Sequence, residues 1–153
     1  MQKSPNHTTI GGHLKGTAMF SITNGRDAIH VEIAQHFPQG DNQPFDEYFL
    51  RVWGQSGFIS FDKQVDATRH DLQGFYNSLK THFDSLRGTC KVPSLSYDED
   101  FSIALSFDRT GIVSVSAELR SVDGFRNYCM LKFATDQTFI AETLRDMKTT
   151  FGF

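Results

Sequence analysis

Several features that mark common functional classes are missing from this 153-residue chain. It has two cysteines, and the spacing of Cys90 and Cys129 matches no CxxC pair or other metal motif. No run approaches the roughly 18 apolar residues of a membrane-spanning helix. The polar start of the chain also lacks the apolar core of a signal peptide. We therefore expect a cytoplasmic protein with no membrane span.

A strong excess of one charge is also missing. The chain has 15 Lys and Arg residues against 18 Asp and Glu residues, which gives a formal net charge of −3. Nonspecific nucleic-acid binding needs a basic surface, so we expect no nucleic-acid partner. A slightly acidic surface remains compatible with a basic protein partner.

The length fits one domain that buries its own core. Residues 1–16 are polar and then glycine-rich, which predicts a flexible N-terminal arm before a single domain at 17–153. The clearest pattern within that domain runs from Phe101 to Leu119. Apolar residues alternate with small polar ones on both sides of the Asp108-Arg-Thr-Gly111 turn. This alternation predicts an antiparallel hairpin with one buried face.

Weaker patterns predict the other elements of the fold. Alternating stretches predict strands at 18–23, 28–37, 48–54, 57–65 and 128–134, with a turn at 54–57. Apolar residues at helical spacing predict a helix that begins at Thr68 or Asp71 and ends before Gly88, and a second helix capped by Thr135. The order ββββ-α-βββ-α predicts an α+β fold, with a mostly antiparallel sheet of about seven strands and two helices packed on one face.

No motif for catalysis or cofactor binding is visible. The GxSxG, Walker and GxGxxG patterns are absent, and none of the six histidines has ligand spacing. His30 and His36 share the polar face of one strand, but about 20 Å separates them, which is too far for one metal ion. We therefore expect no enzyme, no cofactor, and no catalytic or metal-binding residues.

Two groups of residues are candidates for binding a protein partner. The first is acidic and forms one patch if two loops adjoin: it comprises Asp41, Asp46, Glu47, Asp98, Glu99 and Asp100. The second is Arg51 with Trp53, two residue types enriched at binding hot spots, on one face of a predicted strand. Each group also has an ordinary interpretation. The acidic run is then a solvated turn, and the tryptophan packs under a loop or under the N-terminal arm.

Four stretches together carry a family resemblance over roughly residues 18–149. They are the hairpin at 101–119, Met19-Phe-Ser-Ile with Arg26-Asp-Ala-Ile-His-Val, Asp71-Leu-Gln-Gly-Phe-Tyr-Asn-Ser-Leu, and Leu131-Lys-Phe-Ala-Thr-Asp-Gln-Thr-Phe-Ile. In these the chain resembles the small bacterial WapI-type immunity proteins and their uncharacterised relatives. The resemblance implies a cytoplasmic protein that binds and blocks a toxin. It carries over no catalytic residue.

The sequence thus favours a non-enzymatic bacterial protein-binding domain, specifically an immunity protein that neutralises a cognate toxin. Two alternatives stay open. One is a small-ligand-binding or enzymatic α+β domain with a pocket lined by aromatic residues, which converging histidines and carboxylates would support. The other is a homodimeric structural subunit that associates through a sheet edge or an aromatic patch.

Overall fold

The structure is a computed structural model that describes residues 19–86, 95–96, 99–121 and 127–153. These residues form an α+β fold in the predicted order, with seven antiparallel strands and two helices. A short 3-10 turn also covers Gln43–Phe45. The elements are β1 (Met19–Thr23), β2 (Ala28–Phe37), β3 (Glu47–Ser56), β4 (Ile59–Thr68), α1 (Arg69–Ser85), β5 (Phe101–Phe107), β6 (Ile112–Arg120), β7 (Tyr128–Asp136) and α2 (Gln137–Phe151).

The strands divide into two antiparallel sheets. The N-terminal sheet has the order β1-β2-β3-β4, and the C-terminal sheet has the order β5-β6-β7. Every pair of hydrogen-bonded neighbours is consecutive in the chain, as short connections favour. The break between the sheets falls where α1 separates β4 from β5. Strand alternation predicts each strand and its inward face, but it does not predict where hydrogen bonding between strands stops.

The inward faces of both sheets and both helices share one apolar core. In β5 every second residue is buried, as the alternation predicts. Each helix adds a buried stripe, which comprises Leu72, Phe75 and Leu79 in α1, and Ile140, Thr143, Leu144, Met147 and Phe151 in α2. Neither helix of the described chain is long and apolar enough to cross a membrane.

Helix α1 begins as the sequence predicts and ends earlier. The Thr68 hydroxyl accepts from the Asp71 backbone N–H at 3.2 Å, and the Asp71 carboxylate accepts from the Thr68 N–H at 3.1 Å. This reciprocal pair is a capping box. The helix ends at Ser85, and Leu86 adopts a left-handed conformation with φ of 47°. The predicted stop at Gly88 lies outside the described residues.

Helix α2 is capped by Asp136, so the prediction of Thr135 as its cap is wrong. The Asp136 carboxylate accepts from the backbone N–H groups of Thr138 and Phe139 at 2.9 and 3.4 Å. Thr135 is the penultimate residue of β7, and its side chain points inward and is buried. A threonine and an aspartate in succession are both good caps, and the strand extends two residues further than the alternation indicates.

Threonine hydroxyls seal the free edge of β1. That strand pairs only with β2 among the described strands, so the carbonyls on its other side have no partner strand. Unsatisfied carbonyls on an edge strand are costly when buried and promote aggregation when exposed. Three hydroxyls donate to them: Thr135 to Thr23 at 2.6 Å, Thr143 to Ser21 at 2.6 Å, and Thr150 to Met19 at 3.1 Å.

The free edge of β7 is covered by turns of the N-terminal sheet. The Ser56 hydroxyl donates to the Lys132 carbonyl at 3.1 Å, and the Asn24 side-chain amide donates to the Ala134 carbonyl at 2.9 Å. Ser56 ends β3, and Asn24 lies in the turn between β1 and β2. These bonds join the two sheets, although no ladder of backbone hydrogen bonds runs between them.

Replacing Thr143 by valine should destabilise the fold, because valine keeps the volume of this buried side chain but leaves the Ser21 carbonyl without its donor. We expect the free energy of unfolding to fall by about 1–3 kcal/mol, measured by urea denaturation. The matched control is Thr149→Val. The exposed Thr149 hydroxyl bonds only to the Arg145 carbonyl of its own helix, at 3.1 Å. This control should change stability by less than about 0.5 kcal/mol, and equal losses would contradict the edge-sealing role.

Candidate partner-binding face

The outer face of the N-terminal sheet, opposite the core, carries an ordered row of polar and aromatic side chains. Ser21 pairs with His30, His30 with Trp53, and Trp53 with Asp62 in the strand register. One residue from each of the four strands therefore lies on a line across the sheet. We call these four residues the transverse row.

Along the transverse row, Ser21 contacts His30, and His30 contacts Trp53. The Ser21 hydroxyl lies 2.6 Å from His30 Nδ1, and the His30 ring lies 5.2 Å from the Trp53 ring, centroid to centroid. Burial lowers the pKa of His30 below its ordinary value of 6.5. The lowered pKa favours the neutral imidazole at pH 7, and its ring is tilted by 35° against the indole.

Arg51 connects Trp53 and Asp62, the other two neighbours in the row. We call these three residues the Arg51–Trp53–Asp62 unit. Its Nη2 donates to Asp62 Oδ2 at 2.7 Å and its Nε donates to Asp62 Oδ1 at 3.1 Å. The guanidinium carbon also lies 4.6 Å from the centre of the Trp53 ring. The hydrogen bonds between the two groups raise the pKa of Arg51 and lower that of Asp62. The guanidinium is thus fixed by a bidentate ion pair and a cation–π contact.

This register follows from a turn that the sequence analysis misplaced. The predicted turn at Gly54–Gly57 is wrong, because β3 continues to Ser56 and Ser56 pairs with Ile59. The turn that remains has two residues, Gly57 and Phe58. It sets Trp53 opposite Asp62, which is why Asp62 was missed as a partner of Arg51 and Trp53. The alternation alone identified that Arg51 and Trp53 share a face, which the structure confirms.

Asp46, one of the acidic candidates, has a structural role. It is 7% exposed, and its carboxylate accepts from the Gln39 backbone N–H at 2.7 Å and lies 3.0 Å from His36 Nε2. The bond from Gln39, followed by the one from His36, lowers the pKa of Asp46. Its carbonyl also accepts from the Arg69 N–H at 2.8 Å, at the start of α1. Asp46 therefore fixes the β2–β3 loop against the helix.

The remaining acidic candidates are dispersed. Asp41, Glu47 and Glu99 are exposed, and Asp98 lies outside the described residues. Asp100 is half-buried, and its carboxylate binds the Lys63 ammonium at 2.6 Å.

Glu47 and Asp100, one residue from each acidic segment, lie apart. Lys63, the partner of Asp100, pairs with Val52, five positions from Glu47 along β3. Five strand positions correspond to about 17 Å. Glu47 and Asp100 therefore do not belong to one patch. Partner binding by any of these carboxylates stays a prediction.

A groove of about 280 Å³ follows the row, with His30, Trp53 and Asp62 in its walls. His30 and Asp62 lie on strands that are two apart, which corresponds to about 10 Å with the indole between them. They do not converge on one atom of a substrate, as general acid–base chemistry requires. Within the described residues no group of three or more His, Cys, Asp or Glu is placed to hold a metal ion.

A second groove, of about 400 Å³, lies on the outer face of the C-terminal sheet. Its walls are small residues such as Ala104, Ser106 and Ser114, with Lys132 as a charged group. Among the described residues, no carboxylate or histidine lines this second groove. It therefore offers little of the converging polar chemistry that a ligand site needs.

Comparison of the chain with protein-family models, curated proteins and solved structures gives no match. The role of this face is therefore argued from its own geometry.

The fluorescence of Trp53, the only tryptophan of the chain, should report the protonation of His30. A charged imidazole quenches a neighbouring indole, so acidification should lower the emission with a midpoint below pH 6.5, because burial lowers the His30 pKa. His30→Gln should remove this step. The control His70→Gln, at an exposed position of α1, should leave it unchanged. A midpoint at or above 6.5, or a step that persists without His30, would contradict this geometry.

Proposed function

We propose that this chain is a non-enzymatic protein-binding domain, specifically an immunity protein that neutralises a bacterial toxin by covering part of its surface. The observation that carries the proposal is the fixed Arg51–Trp53–Asp62 unit on the outer face of the N-terminal sheet. The resemblance to WapI-type immunity proteins supports the same role and the cytoplasm as its compartment. An inhibitor of this kind needs a complementary surface and no reacting groups.

The chemistry of the face suits a protein partner. Tryptophan and arginine dominate binding energies at interfaces, and here both side chains are ordered before a partner arrives. Binding therefore costs little side-chain entropy, which otherwise reduces affinity. A sheet of four strands is about 19 Å wide and its longer strands span about 33 Å. The area of such a sheet face is of the same order as the roughly 800 Å² that each partner buries in a standard interface.

Charge supports a partner with basic groups opposite the end of the N-terminal sheet where β3 begins, about 30 Å along the strand from the β3–β4 turn. The chain carries a formal net charge of −3, and Asp41, Glu47 and Glu99 are exposed. Exposed charges of this kind accelerate encounter with an oppositely charged surface more than they raise affinity. A ligand-binding or catalytic role has weaker support, because His30 and Asp62 do not converge on one point.

The proposal predicts that co-expression with the C-terminal domain encoded by the nearest neighbouring gene will restore growth of cells that the domain poisons. The two proteins should copurify as a one-to-one complex, measured by size-exclusion chromatography with light scattering. Trp53→Ala should weaken binding by about 30-fold or more, as expected for a hot-spot residue. Arg51→Glu should weaken it as well, because it removes both the ion pair with Asp62 and the cation–π contact with Trp53.

The matched control is Tyr128→Ala, which removes an exposed aromatic residue from the C-terminal sheet. It should change affinity by less than about threefold, as most residues outside a hot spot do. Neither rescue nor a complex would contradict the immunity function. A defect confined to the Tyr128 variant would place the interface on the other sheet.

A further inference from the structure

Phe58 is the most exposed large apolar side chain among the described residues. It is 99% exposed, and the next, Phe45, is 64% exposed. It lies at the tip of the β3–β4 hairpin, where it packs against no part of the core. An isolated exposed apolar residue is common, but a fully exposed phenyl ring at a hairpin tip is unusual and calls for a reason.

The turn itself does not require a phenylalanine. Ser56 pairs with Ile59, so the loop has two residues. Gly57 has a φ of 58°, whereas Phe58 keeps a negative φ, as in a type II′ turn. That turn needs glycine at its first central position and sets no demand for an apolar residue at the second. The fold therefore does not explain why the second position of this turn is a phenylalanine.

The tip is held in place from two sides. The carboxylate of Asp27, a residue 6% exposed, accepts from the Asn24 amide at 3.0 Å. Asn24, followed by the Ser56 side chain and the Gly57 backbone, lowers the pKa of Asp27, which lines one cleft with Ser56 and Gly57. On the other side the Ser56 hydroxyl bonds to the Lys132 carbonyl of β7. Both flanks of the tip are thus fixed to neighbouring strands. Because the hairpin backbone is held, a partner that encloses Phe58 has to order only the two side-chain torsions of the phenylalanine.

Two exposed cationic residues, Arg26 and Lys132, lie in segments next to the tip. Arg26 is 89% exposed at its side chain, and it lines a cleft of about 520 Å³ together with Gly57. Lys132, whose carbonyl takes the bond from Ser56, is also exposed. Asp27, the one carboxylate among the described residues that line this cleft, is buried, and its Oδ2 lies 3.7 Å from Arg26 Nη2. The Arg26 side chain is still exposed to a partner. The surface around Phe58 therefore suits a partner with carboxylates at the corresponding positions.

We propose that Phe58 is an anchor residue that enters an apolar pocket, rimmed by carboxylates, on the protein partner that covers the transverse row. This inference rests on the proposed function. One phenylalanine buries about 200 Å² at most, whereas a standard interface needs about 800 Å² per partner. The groove beside Trp53 continues along Gln55 and Ser60 toward the tip, so one partner can cover both regions.

The area also argues against a second copy of this chain as the occupant. Two hairpin tips in contact would bury little beyond their own phenyl rings, which is far below the area of a stable dimer. A concave partner surface encloses the ring on several sides, and that is the setting in which an aromatic residue becomes a hot spot.

The test measures binding of the full chain to the C-terminal toxin domain of the neighbouring gene by biolayer interferometry. Phe58→Ser should reduce affinity by about 30-fold or more, mainly through faster dissociation. Phe45→Ser, the matched control at the other exposed phenylalanine, should change it by less than about threefold. Arg26→Glu should slow association at low salt, and the difference should shrink at high salt.

The outcomes separate the two claims. If the wild-type chain binds and Phe58→Ser behaves like Phe45→Ser, the anchor role is wrong and the immunity function stands. If the wild-type chain does not bind, the immunity function fails and the anchor role falls with it. If Phe58→Ser alters only self-association in sedimentation velocity, the ring serves a second copy, which contradicts the proposal. Unfolding midpoints of both serine variants should match the wild type, because neither ring supports the core.

Discussion

The carbonyl groups on the free edge of β1 need hydrogen-bond donors. The donors are the hydroxyls of Thr135, Thr143 and Thr150. Two of these residues belong to α2, so this requirement ties the last helix of the chain to the first described strand. The side chains of Ser56 and Asn24 perform the same task for β7. Sealing these edges by side chains allows two short sheets to share one core without a continuous ladder between them.

The candidate binding residues lie on the outer face of the N-terminal sheet, opposite the core. Both helices supply their apolar stripes to the core, and the transverse row lies on the opposite face. The Arg51–Trp53–Asp62 unit is ordered by the strand register, and the register is set by the tight turn that carries Phe58. The same turn thus determines the arrangement of the face and presents an aromatic side chain at its end. An interface built on strands and a fixed turn keeps its geometry better than one built on loops.

The features of the fold that depend on local periodicity could be predicted from the sequence. The features that depend on contacts between distant elements could not. The hairpin around Asp108, the apolar stripes of both helices and the common face of Arg51 and Trp53 follow from alternation and helical spacing, and the structure confirms them. The burial of Asp46 depends on His36 and on a loop that local patterns do not describe. The break between the sheets depends on tertiary packing across α1, because no short turn joins β4 to β5.

The central claim is that the outer face of the N-terminal sheet, with the hairpin tip, is where a protein partner binds. The most direct test is an NMR map of backbone amide shifts in the full chain as the neighbouring toxin domain is added. The account predicts that the perturbed amides cluster around Ser21, His30, Trp53 and Asp62 and extend to Phe58. A cluster centred on the outer face of the C-terminal sheet, around Ser114 and Lys132, would contradict it.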